Sequence, residues 1–121
     1  MLVLTRTISD RLISDISAVS KAGLGYNGTE ISGVGYTRVD VPSGFFVYDS
    51  EDVTYYYYKN GSSLVFPAAG NFWGNMNEIY FFDSSGNRVY TFVTDSTIVI
   101  ATGITFSINA GGLILKIKKS G

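Results

Sequence analysis

Most of the chain alternates between hydrophobic and polar positions with a period of two, which is typical of β-strands. Turn-forming residues (Gly, Asn, Asp, Ser and Pro) interrupt this pattern roughly every 8–12 residues, so we predict about eight or nine short strands. Many short strands joined by tight turns are typical of a sandwich or a barrel. The predicted fold is all-β: an antiparallel β-sandwich or jelly-roll-like barrel with a short N-terminal helix or arm.

The N-terminal part of the chain departs from this period. Hydrophobic residues recur there at a spacing of three to four, which predicts a helix over residues 7–21: Ile8, Leu12, Ile13, Ile16 and Val19. Glycines follow closely over residues 23–35, which predicts an irregular connection. We therefore divide the chain into an arm or short helix with its glycine-rich connection (residues 1–32) and one β-sandwich domain (residues 33–121).

The strands of the sandwich are predicted from the alternating runs between turn residues. They cover residues 36–41, 45–48, 53–58, 63–66, 78–82, 87–93, 97–101, 104–108 and 113–118. Residues 49–52 form an acidic turn and residues 67–77 a loop. Asn60-Gly61 predicts a hairpin between strands 53–58 and 63–66, and residues 83–86 predict a four-residue turn.

Two of these predicted strands are apolar on both faces: Tyr55–Tyr58 and Ile79–Phe82. A strand in a two-layer sandwich directs one face to the core and the other outward. About half of these aromatic side chains must therefore be covered by something other than the opposing sheet. The N-terminal helix, a long loop or another subunit are the three candidates.

Composition and charge narrow the classes of function. The 121 residues carry a formal charge of −1 and are 16% charged, so no basic surface for nucleic acid is predicted. The low charge favours a chain whose surface is covered by neighbours. The sequence contains no Cys and no His, which excludes disulfides, thiolate chemistry and a Ser–His pair. No apolar stretch reaches the roughly 18 residues of a membrane span.

Few residues suggest chemistry. Asp49, Glu51 and Asp52 are the densest carboxylates, but they lack the spacing of a calcium loop and suit a solvated turn. Gly33-Val34-Gly35 lacks the third glycine of a dinucleotide fingerprint. We predict no catalytic residue, no metal, no cofactor and no enzyme activity. Exposed aromatics such as Tyr55–Tyr58 and Trp73 also occur where proteins stack on sugars, although a tryptophan is more often a buried anchor.

The basic C-terminal end has two interpretations. Lys116, Lys118 and Lys119 alternate with the apolar Leu115 and Ile117. Lysines often protect a solvated edge strand from pairing with other chains. Salt bridges to an acidic neighbouring subunit are the alternative.

Residues 33–118 carry several short motifs in one consistent order. They are Ser32-Gly33-Val34-Gly35-Tyr36-Thr37-Arg38, Val65-Phe66-Pro67-Ala68-Ala69-Gly70, Phe72-Trp73-Gly74-Asn75-Met76-Asn77-Glu78, Phe81-Phe82-Asp83, Gly86-Asn87, Ile104-Thr105-Phe106 and Asn109-Ala110-Gly111-Gly112-Leu113. In this order and spacing the chain resembles a family of small phage virion proteins of the tail-fibre-like or head-decorating type. The chain departs from that pattern in its short segment 23–29 and in Tyr55–Tyr58, where the family is usually small and polar.

The resemblance implies a non-enzymatic structural protein of the virion. The favoured role is a capsid decoration or cement protein, assembled in the host bacterial cytoplasm, that sits on the capsid surface as a homotrimer against the major capsid protein. It implies no direct contact with nucleic acid or membrane. A tail-fibre or baseplate subunit is the alternative within the same class, and a free carbohydrate-binding module is the alternative from another class.

Two groups of residues follow from these hypotheses. The expected contact surfaces are the N-terminal arm and the tyrosine run: Leu2, Leu4, Arg6, Ile8, Tyr55, Tyr56, Tyr57 and Tyr58. The expected scaffold anchors are Tyr36, Arg38, Phe66, Pro67, Trp73, Gly74 and Asp83. Because alternate residues of a strand face opposite sides, only one of Tyr56 and Tyr57 can face outward. We expect substitution of that one by Ser to weaken assembly and to spare folding.

Overall fold

The computed structural model describes the backbone of residues 2–7 and residues 18–119 in full, and all regular structure there is β. The strands are β1 (Leu2–Thr7), β2 (Val19–Tyr26), β3 (Thr29–Glu30), β4 (Val39–Asp40), β5 (Phe46–Glu51), β6 (Tyr55–Asn60), β7 (Leu64–Val65), β8 (Gly74–Asp83), β9 (Arg88–Ile100), β10 (Ser107–Ile108) and β11 (Leu113–Lys118). The predicted all-β class is confirmed.

The strands form two main sheets and one short ribbon. A four-stranded sheet has the order β1-β11-β6-β5, and a five-stranded sheet has the order β3-β2-β8-β9 with β4 also paired to β2. The ribbon joins β10 and β7. The pairs are antiparallel except that β1 runs parallel to β11, with Leu2 opposite Leu113. This is an antiparallel β-sandwich with one parallel strand at its edge.

The core lies between the two main sheets. Strand β11 contributes alternate residues, Leu113, Leu115 and Ile117, which are fully buried. An aromatic cluster joins the sheets, because the ring of Phe46 lies 5.3 Å from that of Phe81 on β8 and 6.1 Å from that of Phe92 on β9. Such edge-to-face and stacked pairs contribute about 0.5–1.5 kcal/mol each beyond the area they bury.

The helix predicted over residues 7–21 is wrong at both ends that the structure describes. Thr7 ends β1, and Val19 begins β2. Ala22 and Leu24 of β2 are fully buried and are register partners of Phe81 and Ile79 on β8, so this end of the predicted helix is a strand of the sheet. Residues 8–17, with Ile8 and the rest of the predicted helix, lie outside the described residues.

The glycine-rich connection over residues 23–35 is also wrong in its first part. Gly23 and Gly25 lie inside β2, and β3 follows after the turn at Asn27-Gly28, where both residues have positive φ. The glycines suit the strand because other side chains occupy the space where theirs would lie: Tyr80 of β8 beside Gly25, and Glu30, Tyr36 and Phe82 beside Gly23. The five-stranded sheet therefore includes residues on both sides of the predicted boundary at residue 33.

The predicted hairpin at Asn60-Gly61 is wrong. Strand β6 pairs with β5 and β11, whereas β7 pairs with β10, so this turn leads from one sheet to another. The Asn60 side chain is fully buried and fixes the crossing. Its Nδ2 donates to the carbonyl oxygens of Ser62 (2.9 Å) and Asn109 (3.0 Å), and its Oδ1 accepts from Leu113 N (2.8 Å).

The bounds of the other strands are closer to the predicted ones. Only Val39–Asp40 of residues 36–41 is a strand, and residues 49–51 of the expected acidic turn belong to β5. Residues 87–93 and 97–101 are joined in the single long strand β9. The turn after β8 is confirmed, since Asp83 Oδ1 accepts from the backbone N–H groups of Ser85 and Asn87, both at 2.9 Å. Strand β11 has the predicted bounds.

Candidate interaction face

The outer side of the four-stranded sheet carries two of the four consecutive tyrosines. On β6, Tyr56 and Tyr58 pack against the core, whereas Tyr55 and Tyr57 lie on the opposite side and are half-buried. The direction is fixed by Asn60, which is fully buried on the same side as Tyr56 and Tyr58. We call the outer surface formed by β5, β6 and β11 around Tyr55 and Tyr57 the tyrosine face.

Contacts within the tyrosine face hold both rings in place. The centroids of Tyr55 and Tyr57 are 6.2 Å apart, and Lys116 Nζ lies 4.0 Å from the centroid of Tyr55. The Tyr57 hydroxyl donates to Asp52 Oδ2 at 2.7 Å. This hydrogen bond raises the pKa of Tyr57 and lowers that of Asp52. The rings are therefore presented in one arrangement, which lowers the entropy lost on binding a partner.

Charges on the tyrosine face are separated across the sheet. Asp49 on β5 pairs with Lys59 on β6 at 3.0 Å, and this lowers the pKa of Asp49. Lys116 and Lys118 lie on β11, on the other side of β6. Among residues 18–119 neither of these two lysines forms a salt bridge. The face thus has an acidic flank on the β5 side and a basic flank on the β11 side.

The acidic residues 49–52 all have protein partners. Besides Asp49, Glu51 accepts from Lys119 Nζ at 2.6 Å and from the Tyr48 hydroxyl at 2.9 Å. Asp52 Oδ1 accepts from the backbone N–H groups of Thr54 and Tyr55. Within the part of the chain that the structure describes, no group of three or more His, Cys, Asp or Glu residues is placed to hold a metal ion. These carboxylates organise the end of the β5–β6 pair.

The second aromatic strand is covered by the chain itself. Ile79 and Phe81 face the core, and Tyr80 and Phe82 on the other side of β8 are also buried. The guanidinium groups of Arg88 and Arg38 cover these two rings, each 3.6 Å from a ring centroid. Of the three candidates for this cover, side chains from the chain's own strands and loops supply it here, so β8 offers no aromatic surface to a partner.

A salt bridge fixes Arg38 over its ring. Glu30 on β3 accepts two hydrogen bonds from Arg38, at 3.0 and 2.9 Å, and one from the Tyr36 hydroxyl at 2.6 Å. Burial by itself raises the pKa of Glu30, but the hydrogen bonds from Arg38 and Tyr36 outweigh it and the net pKa is lowered. Burial and the bond to Glu30 raise the pKa of Tyr36. Glu30 was missed in the sequence because it lies in a segment with no hydrophobic alternation.

Four other predicted anchors lie between β7 and the start of β8. Phe66 is buried, Pro67 is half-buried, and Gly74 opens β8 with φ of 86°. Trp73 is 9% exposed, and its Nε1 donates to the Val34 carbonyl oxygen at 2.9 Å. A tryptophan in this position has no ring face available for stacking on a sugar.

The N-terminal arm lies at the edge of the four-stranded sheet. Leu2, Leu4 and Arg6 of β1 are opposite Leu113, Leu115 and Ile117 of β11. Ile8 lies outside the described residues. The arm therefore extends the sheet that carries the tyrosine face.

Two shallow depressions lie elsewhere on the described surface. One, of about 370 Å³, lies beside residues 94–98 and 106–112. The other, of about 520 Å³, lies at the end of β2 and is lined by Tyr26, Asn27, Thr29, Glu30, Ile31, Ser32, Trp73 and Asn75. Tyr26 is 36% exposed and is the one aromatic ring with an accessible side among these lining residues.

No helix among the described residues is both long and apolar enough to span a membrane. Comparison with protein-family models, with curated proteins and with solved structures finds no match to this chain.

Proposed function

We propose that the protein is a non-enzymatic structural subunit of a phage virion, and specifically a capsid decoration protein. The observation that carries the proposal is the tyrosine face, where Tyr55 and Tyr57 are held half-exposed on a sheet between two charged flanks. Aromatic side chains are enriched at the centres of protein interfaces, with charged groups at their rims. The order of sequence motifs supplies the link to virion proteins.

In this proposal the subunit sits on the capsid surface and contacts copies of itself and the major capsid protein. Assembly takes place in the host bacterial cytoplasm, and the expected oligomer is a homotrimer. The tyrosine face and the β1 edge lie on the same sheet, so one side of the molecule presents both predicted contact surfaces. A tail-fibre or baseplate subunit would use the same surfaces on a different part of the particle.

The test is whether the purified protein binds capsids of its own phage that were assembled without it. We expect saturable binding by the wild type and weak binding by Tyr57→Ser, because Tyr57 is outward-facing. Tyr26→Ser is the matched control, since it removes an exposed tyrosine on the other sheet. Both variants should retain wild-type thermal unfolding. A wild type that ignores the capsids but binds purified tails would overturn decoration in favour of the tail role.

A carbohydrate-binding module is a second candidate, and the depression beside Tyr26 favours it. The accessible ring of Tyr26 and the polar side chains of Asn75 and Ser32 have the character of a sugar site. Calorimetric titration with a panel of hexoses and hexose disaccharides tests this role. Binding that Tyr26→Ser abolishes and Tyr57→Ser retains would support it, and no heat with any sugar would remove it.

A further inference from the structure

The side chains of the tyrosine face are arranged in rows across β5, β6 and β11. One row contains Val47, Lys59 and Ile114, which are register partners on the three strands. The next contains Ser50, Tyr57 and Lys116, with Asp49 at the adjacent bulge of β5. In the first row both flanks are apolar, with Val47 on β5 and Ile114 on β11. In the second row the flanks differ in charge, with Asp49 on the β5 side and Lys116 on the β11 side.

We infer that this face binds the same face of a second copy across a twofold axis that runs along β6. Rotation about an axis parallel to the strands exchanges the two flanks and keeps each row at its own level. The β5 strand of one copy then lies over the β11 strand of the other. In this orientation the acidic flank of each copy lies over the basic flank of the other.

The pairs that result are chemically matched. Val47 meets Ile114 of the second copy, so two exposed or half-exposed apolar side chains are covered. Asp49 keeps its bond to Lys59 and gains Lys116 of the second copy. On the axis, Tyr57 meets Tyr57, and large rigid aromatic groups are among the side chains that most often anchor interfaces. Lys59 also meets Lys59 on the axis, and each of these lysines keeps its own salt bridge to Asp49, which offsets the repulsion.

A twofold axis perpendicular to the strands gives a different result at the flanks. It places β5 over β5 and β11 over β11, so the two acidic flanks face each other and the two basic flanks face each other. With this axis at the level of Tyr57, Lys116 would face Lys116 of the second copy. Like charges in contact oppose association, so the direction of the axis follows from the distribution of charge.

The size of the face indicates how strong the contact is. Three strands at a spacing of about 4.8 Å, each of six residues rising about 3.4 Å, present a flat area of roughly 300 Å². Stable interfaces bury about 800 Å² on each partner. The contact is therefore weak between free molecules and effective where copies are held close together. The inference rests on the proposed function, because a capsid shell would hold the copies side by side. In a trimeric decoration protein this contact would join neighbouring trimers.

Site-directed crosslinking tests the axis. The chain has no cysteine, so Tyr55→Cys introduces a single thiol on β6, on the axis, and leaves Tyr57 in place, and Val93→Cys introduces one at an exposed position of the other sheet. Packed sheets lie about 10 Å apart, beyond the reach of a disulfide, so the probe is the short bifunctional reagent bismaleimidoethane. At high protein concentration we expect Tyr55→Cys to form covalent dimers at least about tenfold faster than Val93→Cys, because a preformed contact replaces random collision.

Charge exchange tests the flanks. In the Tyr55→Cys background, Asp49→Lys or Lys116→Asp should slow crosslinking by about threefold or more, and the double variant should recover much of the rate. Equal rates for Tyr55→Cys and Val93→Cys, with capsid binding by the wild type, would overturn the twofold contact and leave decoration standing. Fast crosslinking by a protein that ignores capsids would keep the contact and overturn decoration.

Discussion

The ring of Tyr80 lies directly over Gly25 on the neighbouring strand. A Cβ atom built on Gly25 would be 2.2 Å from the Tyr80 hydroxyl oxygen and 2.3 Å from the ring carbon Cε2. The glycine thus leaves the space that the ring fills, and the ring covers backbone that would otherwise be exposed. Arg88 lies over the ring at 3.6 Å and completes the cover. This packing buries an aromatic residue on the outer side of a sheet.

We expect Gly25→Ala to lower the free energy of unfolding by about 1–3 kcal/mol, since the added methyl group must displace a buried ring. Equilibrium unfolding in urea measures the change. Removing the ring should relieve the conflict, so the loss from Gly25→Ala should be smaller in a Tyr80→Ala background than in the wild type. Equal losses in both backgrounds would show that Tyr80 does not fill this space.

The same packing shows why the sequence predicted some elements and not others. Strand β11 was predicted with its correct bounds because the buried Leu115 and Ile117 alternate with Lys116 and Lys118 within the strand itself. Gly25 was assigned to a connection because the ring that fills the space beside it, that of Tyr80, is more than fifty residues away in the chain. A local pattern reports what a residue does along its own strand, and it contains no information on which distant ring lies over it.

The candidate face shows the same limit. The sequence predicted that half of Tyr55–Tyr58 faces outward, but four identical residues carry no alternation that would indicate which half. The fully buried side chain of Asn60 shows that Tyr56 and Tyr58 face the core. Asn60 can be buried there because its amide group bonds to the backbone of Asn109 and Leu113. Asn60-Gly61 was read as a hairpin because turn chemistry is local, whereas the partners of β6 and β7 are chosen by the packing of both sheets.

Asn60 is fully buried, and we expect Asn60→Ala to be among the most destabilising single substitutions in the protein. It removes both donors to the carbonyl groups of Ser62 and Asn109 and the acceptor for Leu113 N. Buried polar groups without partners cost about 1–3 kcal/mol each, so a total loss of about 2–4 kcal/mol is expected after partial relaxation. Urea unfolding measures it. Asn75→Ala, at an exposed position, is the control and should change stability by less than about 0.5 kcal/mol.

The ion pair of Glu30 and Arg38 predicts a dependence of stability on acid pH. The pKa of Glu30 is lowered in the folded protein from its ordinary value of 4.5, so the unfolded chain takes up a proton first as the pH falls. The contribution of Glu30 is present above the ordinary pKa and is lost as the pH falls through the folded one. We expect Glu30→Gln to cost about 1–2 kcal/mol at neutral pH and progressively less in acid.

Urea midpoints of the wild type and Glu30→Gln between about pH 7 and about pH 3 measure this difference. Glu51→Gln is the comparison, since Glu51 also forms a salt bridge, with Lys119, but lies at the surface. Its effect should be reduced by salt, whereas that of Glu30→Gln should persist. A Glu30→Gln difference that stays constant down to the lowest pH would contradict the assignment.

Tyr80 predicts a second dependence of stability, in alkali. Burial of the phenol, and its hydrogen bond to Glu78, raise the pKa of Tyr80 to about 12 from an ordinary value of 10.0. Above the ordinary pKa the unfolded chain releases a proton that the folded protein retains, so stability falls as the pH rises towards the folded value. The slope from one such group is at most about 1.4 kcal/mol per pH unit.

We expect Tyr80→Phe to reduce the dependence of stability on pH in alkali. The pKa of Tyr36 is also raised, so adding Tyr36→Phe should reduce this dependence further. Below about pH 9 the stability curves should run parallel, because every state then keeps its phenol protons. Near-ultraviolet absorbance of the phenolate, followed together with urea unfolding, measures both effects, and a Tyr80→Phe slope equal to that of the wild type would contradict the burial of this hydroxyl.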